Sequence, residues 1–232
     1  MKLGIMQPYL FPYLGYFQLI HAVDKFVLLD DVNFINKGWI NRNRILVNGK
    51  EYTFTVSLVD ASQNKLIKDI DIVSDDKWKG KFLKTVEMSY KKAPFAADVY
   101  PKIERVINSE FRKISEVIAY SLDVVMEYIG IETELVRTSS VYDRTHLKGE
   151  QRILAICEAE KASRYINLIG GKELYSQDTF KAAGIELRFL RSSLPEYDQK
   201  VPTFMPGLSI IDIMMFNSPL KIREMLDKYT LE

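Results

Sequence analysis

Histidine and cysteine are nearly missing from this chain: His21, His146 and Cys157 are all that 232 residues contain. A single cysteine excludes an intramolecular disulfide framework and any zinc or iron–sulfur site built on a cysteine cluster. Two histidines are too few for a histidine-based metal site, so no metal is expected. An excess of charge is absent as well, with 32 Lys and Arg against 31 Asp and Glu. That balance supplies no field for nucleic acid or an anionic membrane. G-x-S-x-G, Walker A, G-x-G-x-x-G and H-E-x-x-H are all missing, which removes the major nucleophile, phosphate-loop, dinucleotide and zinc-protease signatures. There are no repeats, low-complexity tracts or linkers, so residues 1–232 are read as a single α/β domain.

What is present is ordinary globular composition, 47% hydrophobic and 27% charged, with one excess: 13 Tyr and 12 Phe, many crowded near the N-terminus. From Leu3 to Val23 no charged residue occurs. Gln7, Pro8, Pro12, Gly15, Gln18 and His21 interrupt this run, and no small-residue cleavage site follows, so it does not read as a secretory leader. Two prolines and several polar groups would equally spoil a spanning helix. The segment is expected to be the folded start of a cytoplasmic protein without membrane insertion.

Leu3–Met6 reads as a buried strand ended at Gln-Pro, and Pro12 fits the first turn of a helix running to about Asp24. Lys25–Leu29 is a second strand, so the opening is a βαβ unit with a parallel crossover. Asn48-Gly49 between β-formers predicts a hairpin with a type I′ turn. A short strand follows at 70–73, then helices at 75–91, 96–107 and 110–128, the last closed by Gly130. Strands at 134–138, 165–169 and 185–190 alternate with helices at 150–162 and 172–183. Ser209 and Asp212 resemble a capping box, and residues 219–229 form a terminal amphipathic helix. The expected class is α/β with a mostly parallel sheet, plus a hairpin and helical insertion over residues 44–130.

Three strand ends carry candidate site residues. The turn after the first strand offers Gln7 and the Tyr9 and Tyr13 hydroxyls on an apolar wall, with Gly15 allowing close backbone approach. Each aromatic alone reads as core; their density with two tyrosines points to a pocket wall, at the strand end where α/β sheets bind ligands. After the second strand come Asp30 and Asp31, then Lys37, Trp39, Asn41, Arg42 and Asn43. Successive strand residues face opposite ways, so one carboxylate at most enters a site while the other caps a turn. Arg42 with Asn41 suits a phosphate or carboxylate, and the plainer alternative is a solvated turn. After the third comes Gly170-Gly171 with Lys172, either a small anion nest or a tight turn. Tyr197 and Ser209 bracket a proline-fixed extended stretch. His21 reads as a core histidine, Cys157 as a buried thiol, and His146 as the imidazole better exposed for proton transfer.

Met6-Gln-Pro-Tyr-Leu-Phe-Pro-Tyr-Leu-Gly-Tyr-Phe-Gln-Leu-Ile20, Asp30-Asp31 and Lys37-Gly-Trp-Ile-Asn-Arg-Asn-Arg-Ile45 resemble the WbqC-like family. Arg152-Ile-Leu, Tyr165-Ile-Asn-Leu-Ile-Gly-Gly-Lys172, Gly184-Ile185 and Phe204-Met-Pro-Gly-Leu-Ser-Ile-Ile-Asp212 extend the likeness over nearly the whole chain. The resemblance implies an enzyme of surface-polysaccharide (O-antigen type) biosynthesis, transferring glycine or another acyl group to the amine of a nucleotide-linked amino sugar. A His-Pro expected before the Tyr-x-Gln pattern is here Ser193-Leu194-Pro195, which removes that histidine. The opening also resembles nucleotidylyltransferase-like folds, with Tyr13-Leu-Gly-Tyr16 where those carry H-x-G-H. Alternatives are therefore a nucleotidyl- or adenylate-forming enzyme and a non-catalytic nucleotide-sugar binding protein. On the transferase reading Asp30, Asp31 or His146 would move the proton. The partner is a small molecule rather than nucleic acid, the cofactor is undetermined and the oligomeric state is open.

Overall fold

Leu3 and Ile5 alternate with Gly4 and Met6, and apolar groups on both faces mark a strand covered from two sides. In the computed structural model, which describes residues 1–232 apart from the side chain of Asp76, these residues form β1 (Lys2–Met6) inside a six-stranded sheet. The sheet order is β5 (Glu134–Val136), β2 (Lys25–Leu28), β1, β6 (Arg164–Leu168), β7 (Glu186–Ser192), β8 (Tyr229–Leu231). All pairings are parallel except β7 with β8. The chain adds β2 and β5 on one side of β1, then crosses to add β6 and β7 on the other. This reversal beside β1 is the switch point at which open α/β sheets leave a crevice beyond the strand ends.

Strand alternation feeds two cores. Leu3, Ile5, Val27, Tyr165, Leu187 and Phe189 pack with Ile153, Ile156 and Cys157 of α5 (Gly149–Ala159) and Phe180 of α6 (Gln177–Ala182). Phe26, Leu28, Ile166 and Leu190 face the other way, onto α1 (Leu14–Ala22), α7 (Ile210–Phe216) and α8 (Pro219–Leu226). This second cluster continues into α2 (Asp76–Tyr90), α3 (Ala96–Ile107) and α4 (Ile114–Ile129). The hairpin β3 (Arg42–Val47) and β4 (Lys50–Thr55) forms its own two-stranded sheet. Asn48 and Gly49 both take positive φ, 51° and 72°, as a type I′ turn requires.

Several boundaries differ from the sequence expectations, each for a tertiary reason. The expected helix at 110–128 starts only at Ile114, because the Ile72 amide bonds the Arg112 carbonyl and the Ile114 amide bonds the Ile70 carbonyl. The expected strand at 70–73 is correspondingly reduced to isolated bridges, Leu58 to Ile72 and Asp71 to Lys113. Residues 172–183 do not form one helix: a 3-10 helix at Ile169–Leu174 gives way to α6, whose cap is Ser176. The terminal helix stops at Leu226 and the chain returns as β8. β5 stops at Val136, since Thr138 turns to cap a 3-10 turn and to bond Asp30. Helix α1 begins at Leu14, leaving Pro12 ahead of the first turn and Tyr13 at the cap, bridged to Ser209. Among the described residues no helix is long and apolar enough to cross a membrane.

Candidate functional site

The β1–α1 turn, the start of the hairpin and the strand that follows β7 meet around a cleft of about 210 Å³. Tyr9, Pro12 and Tyr13 form one wall, Trp39, Asn43 and Arg44 another, and Leu194 and Gly207 close it. Two guanidiniums lie on the Trp39 ring, Arg44 at 5.1 Å and Arg42 at 5.4 Å from its centroid. Burial pushes both the Tyr9 and Tyr13 hydroxyls above the ordinary phenol range, so they stay protonated and act as hydrogen-bonding groups.

The amides and glycines around the cleft are spent on building it. The Asn43 amide donates to the carbonyls of Leu10 (3.3 Å) and Phe11 (2.7 Å), holding Phe11 at a φ of 44°. Asn41 bonds the Val56 carbonyl, and Arg42 gives Nε and Nη2 to the carbonyls of Gly38 and Lys37. Lys37 and its side chain stand exposed on that loop. The space above Gly15 is occupied from within: a Cβ there would meet the Ser192 hydroxyl and the Tyr13 ring, each at 2.4 Å. Gly15→Ala is therefore expected to displace the Tyr13 wall at a cost of about 1–3 kcal/mol, visible as a lowered urea midpoint. Gln7 is half-buried, and its carbonyl accepts the Tyr16 hydroxyl at 2.9 Å.

Beyond β2 and β5 lies a second cluster. Asp30 accepts two hydrogen bonds on Oδ1, from the Thr138 hydroxyl (2.8 Å) and the Ser139 amide (3.0 Å), with the Ser139 hydroxyl oxygen 3.3 Å away. Burial raises its pKa against the lowering effect of those bonds. Asp31 accepts from Ser139 Oγ and from Arg152 Nη2, the latter at 2.6 Å in a pair almost wholly removed from solvent. Arg152 also donates to the carbonyls of Ser139, Tyr142 and Asp143, which fixes the loop leading to His146. His146 itself is exposed on that loop.

A third cluster backs the cleft. Asp212 is fully buried and takes hydrogen bonds from Tyr90 (2.7 Å), Tyr197 (2.6 Å) and Gln199 (3.0 Å). Ser209 half-fulfils the expected capping box, accepting the Ile211 amide at 3.3 Å and donating to the Phe11 carbonyl at 2.7 Å. Asp212, the other half of that box, turns inward instead.

A model of the WbqC-like protein family matches residues 7–224, a span from the exit of β1 into α8. The chain belongs to this family. All the residues of the cleft and of both buried clusters fall within the matched span of this WbqC-like chain. The uncharacterized protein Rv1507c of Mycobacterium tuberculosis (strain ATCC 25618 / H37Rv) is 26% identical over 216 residues, covering 92% of each chain. No solved structure matches.

The WbqC-like fold thus brings Tyr9, Tyr13, Trp39 and Asn43 together at one cleft. Asp30 and Asp31 sit in a separate cluster with Arg152, and Tyr197 and Ser209 act from behind the cleft wall. Gly170 and Gly171 lie in a 3-10 helix, Gly171 packed on the Asn167 amide, and Lys172 pairs with Glu232 at the surface. His21 is half-buried and lies 3.3 Å from Asp227. Cys157 is buried in the core, where burial pushes its thiol up to about 12. Arg44, Pro12, Leu194 and Gly207 complete the cleft without having been singled out from sequence. Only Arg44 carried a signal, since it lies two residues after Arg42 on the same side of a strand. Among the described residues no group of three or more His, Cys, Asp or Glu could hold a metal ion.

Proposed function

We propose that this chain is a cytoplasmic transferase of surface-polysaccharide biosynthesis that passes an aminoacyl or other acyl group to the amine of a nucleotide-linked amino sugar. The observation that carries the reading is the cleft: aromatic walls, two protonated phenols and a guanidinium beside the switch point of a parallel sheet. At about 210 Å³ it holds a sugar-sized part of a ligand, leaving the remainder outside. In the reaction the amine nitrogen attacks the acyl carbon of an activated donor such as a thioester. The N–C bond forms, the bond to the leaving group breaks with its electron pair, and the amine proton passes to a base.

Tyr9 and Tyr13, held protonated, would donate hydrogen bonds to sugar oxygens rather than take that proton. Asp30 lies in the separate buried cluster and no carboxylate lines the cleft, so in this reading the amine proton leaves to solvent water. Asp31 is committed to Arg152. Incubation with nucleotide amino sugars and glycyl thioester donors should add the mass of the acyl group to the sugar; a folded protein giving no product across the panel overturns the transferase.

A second reading, a nucleotide-sugar binding protein without turnover, is favoured by one observation. No carboxylate, imidazole, thiol or amine lines the cleft. Tight binding of the sugar nucleotide with no product in the same panel would select it.

A further inference from the structure

Arg42 and Arg44 share one face of β3 and one aromatic ring, yet their guanidiniums are differently committed. Arg42 gives Nε and Nη2 to backbone carbonyls of the turn before the hairpin. Arg44 reaches the cleft, where it donates Nη1 to Glu51 at 3.0 Å and Nη2 to the Gly207 carbonyl at 3.1 Å. Its Nε is buried without a partner. A guanidinium has five N–H donors, so two bonds leave donors on both Nη atoms free, on a side chain still 29% exposed. The Glu51 partner is itself 45% exposed, and such surface pairs are weak enough to yield to a ligand. The rest of the cleft carries no charge, so an anion entering it meets one cation against apolar and aromatic walls, where attraction is less screened than in water.

We infer that Arg44, held on the Trp39 ring, binds the diphosphate of the nucleotide-linked sugar. This rests on the reading of the cleft given above and names the part of the substrate the cation recognises. Phosphate oxygens match the fork geometry of a guanidinium, which a lysine cannot reproduce. The sugar then lies toward Tyr9 and Tyr13, and the nucleoside projects outward past the exposed edge of Trp39.

Calorimetric titration of the full chain with UDP, GDP and dTDP, inorganic pyrophosphate, uridine and glycine tests this. Diphosphates and pyrophosphate should bind at least tenfold more tightly than uridine. Arg44→Gln should weaken diphosphates and pyrophosphate at least tenfold and leave uridine unchanged, with Arg44→Lys intermediate. Glu51→Gln removes the surface partner without entering the cleft, so diphosphate affinity should stay the same or rise by up to a few fold. A far-ultraviolet spectrum and urea midpoint for each variant separate lost binding from lost folding. Diphosphate binding that survives Arg44→Gln in a folded protein overturns the inference, as does dependence on Arg44 for glycine alone, which would mark a donor carboxylate. If acyl transfer occurs and Arg44→Gln leaves the KM for the sugar nucleotide unchanged, the inference fails and the transferase stands. If wild type neither binds a diphosphate nor turns over any amino sugar, both fail together.

Discussion

Arg152→Ala is expected to lower the unfolding free energy by about 3–5 kcal/mol, the usual cost of removing one partner from a buried ion pair. Its guanidinium makes a 2.6 Å bond to Asp31 with both side chains 3% exposed or less, so truncation leaves a carboxylate charged, dry and unpaired. The same substitution releases the carbonyls of Ser139, Tyr142 and Asp143. Two comparisons separate the ion pair from mere packing. Replacing both members with apolar residues of similar volume, Asp31→Leu with Arg152→Met, should recover much of the loss, because no orphaned charge remains. Arg164→Ala, which removes an exposed partner of Glu186, should cost under about 1 kcal/mol. Urea denaturation reads all three. Hydrogen exchange should further show faster opening of residues 139–148 in Arg152→Ala, since three of that loop's carbonyls lose their anchor. A loss below about 1 kcal/mol for Arg152→Ala would mean that Asp31 finds another partner and that the loop is held elsewhere.

That cluster also marks where sequence reading stops. The β1–α1–β2 opening and the hairpin were legible because their signals are local: apolar runs bounded by Gln-Pro, and Asn48-Gly49 at a two-residue turn. Asp31 and Arg152 are 121 residues apart, and no periodicity in the intervening chain links them. The start of α4 was misplaced for the same reason. Phe111 fits a helical stripe, but residues 112–114 are held extended by backbone partners at 70 and 72, and Phe111 ends up exposed. At the cleft, the residue types were legible and the fold decided which of them face the opening. A guanidinium beside Trp39 was expected, and of the two available the carbonyls of Lys37 and Gly38 occupy Arg42 while Arg44 faces the opening. Asp212 looked like half of a capping box because its spacing from Ser209 fits one. A buried tyrosine from α2 and the Tyr197–Gln199 segment offered its carboxylate stronger partners than the helix end.

The second large effect is expected at that residue. Asp212→Ala should cost about 3–5 kcal/mol, because Tyr90, Tyr197 and Gln199 would each lose a buried acceptor, at roughly 1–3 kcal/mol apiece before relaxation. Asparagine is not a neutral replacement. Gln199 cannot turn its amide around, since its Oε1 accepts the Met205 amide at 2.8 Å while its Nε2 donates to the Met205 carbonyl at 3.0 Å. An asparagine NH2 at the Oδ2 position would therefore face the Gln199 NH2, and Asp212→Asn should lose about 1–2 kcal/mol. The two variants also differ from wild type in pH dependence. Burial raises the Asp212 pKa, opposed by the bonds from Tyr197, Tyr90 and Gln199. The folded chain thus keeps this proton at pH values where the unfolded chain, titrating near about 3.9, has released it. The contribution of Asp212 to stability must then fall as pH rises from the unfolded value through the raised folded one, and level off above it. Both substitutions should abolish that component, so their stability deficits shrink on going to neutral pH. Unfolding curves at pH 4 to 7 measure it, and a deficit that instead grows with pH would mean a folded pKa below the unfolded one. Residues 193–208 contain no helix or strand, yet carry Leu194 and Gly207 to the cleft. Tyr197 and Gln199 tie that stretch to Asp212, so Asp212→Asn, if folded, should weaken ligand binding in the cleft more than its modest stability loss alone would produce.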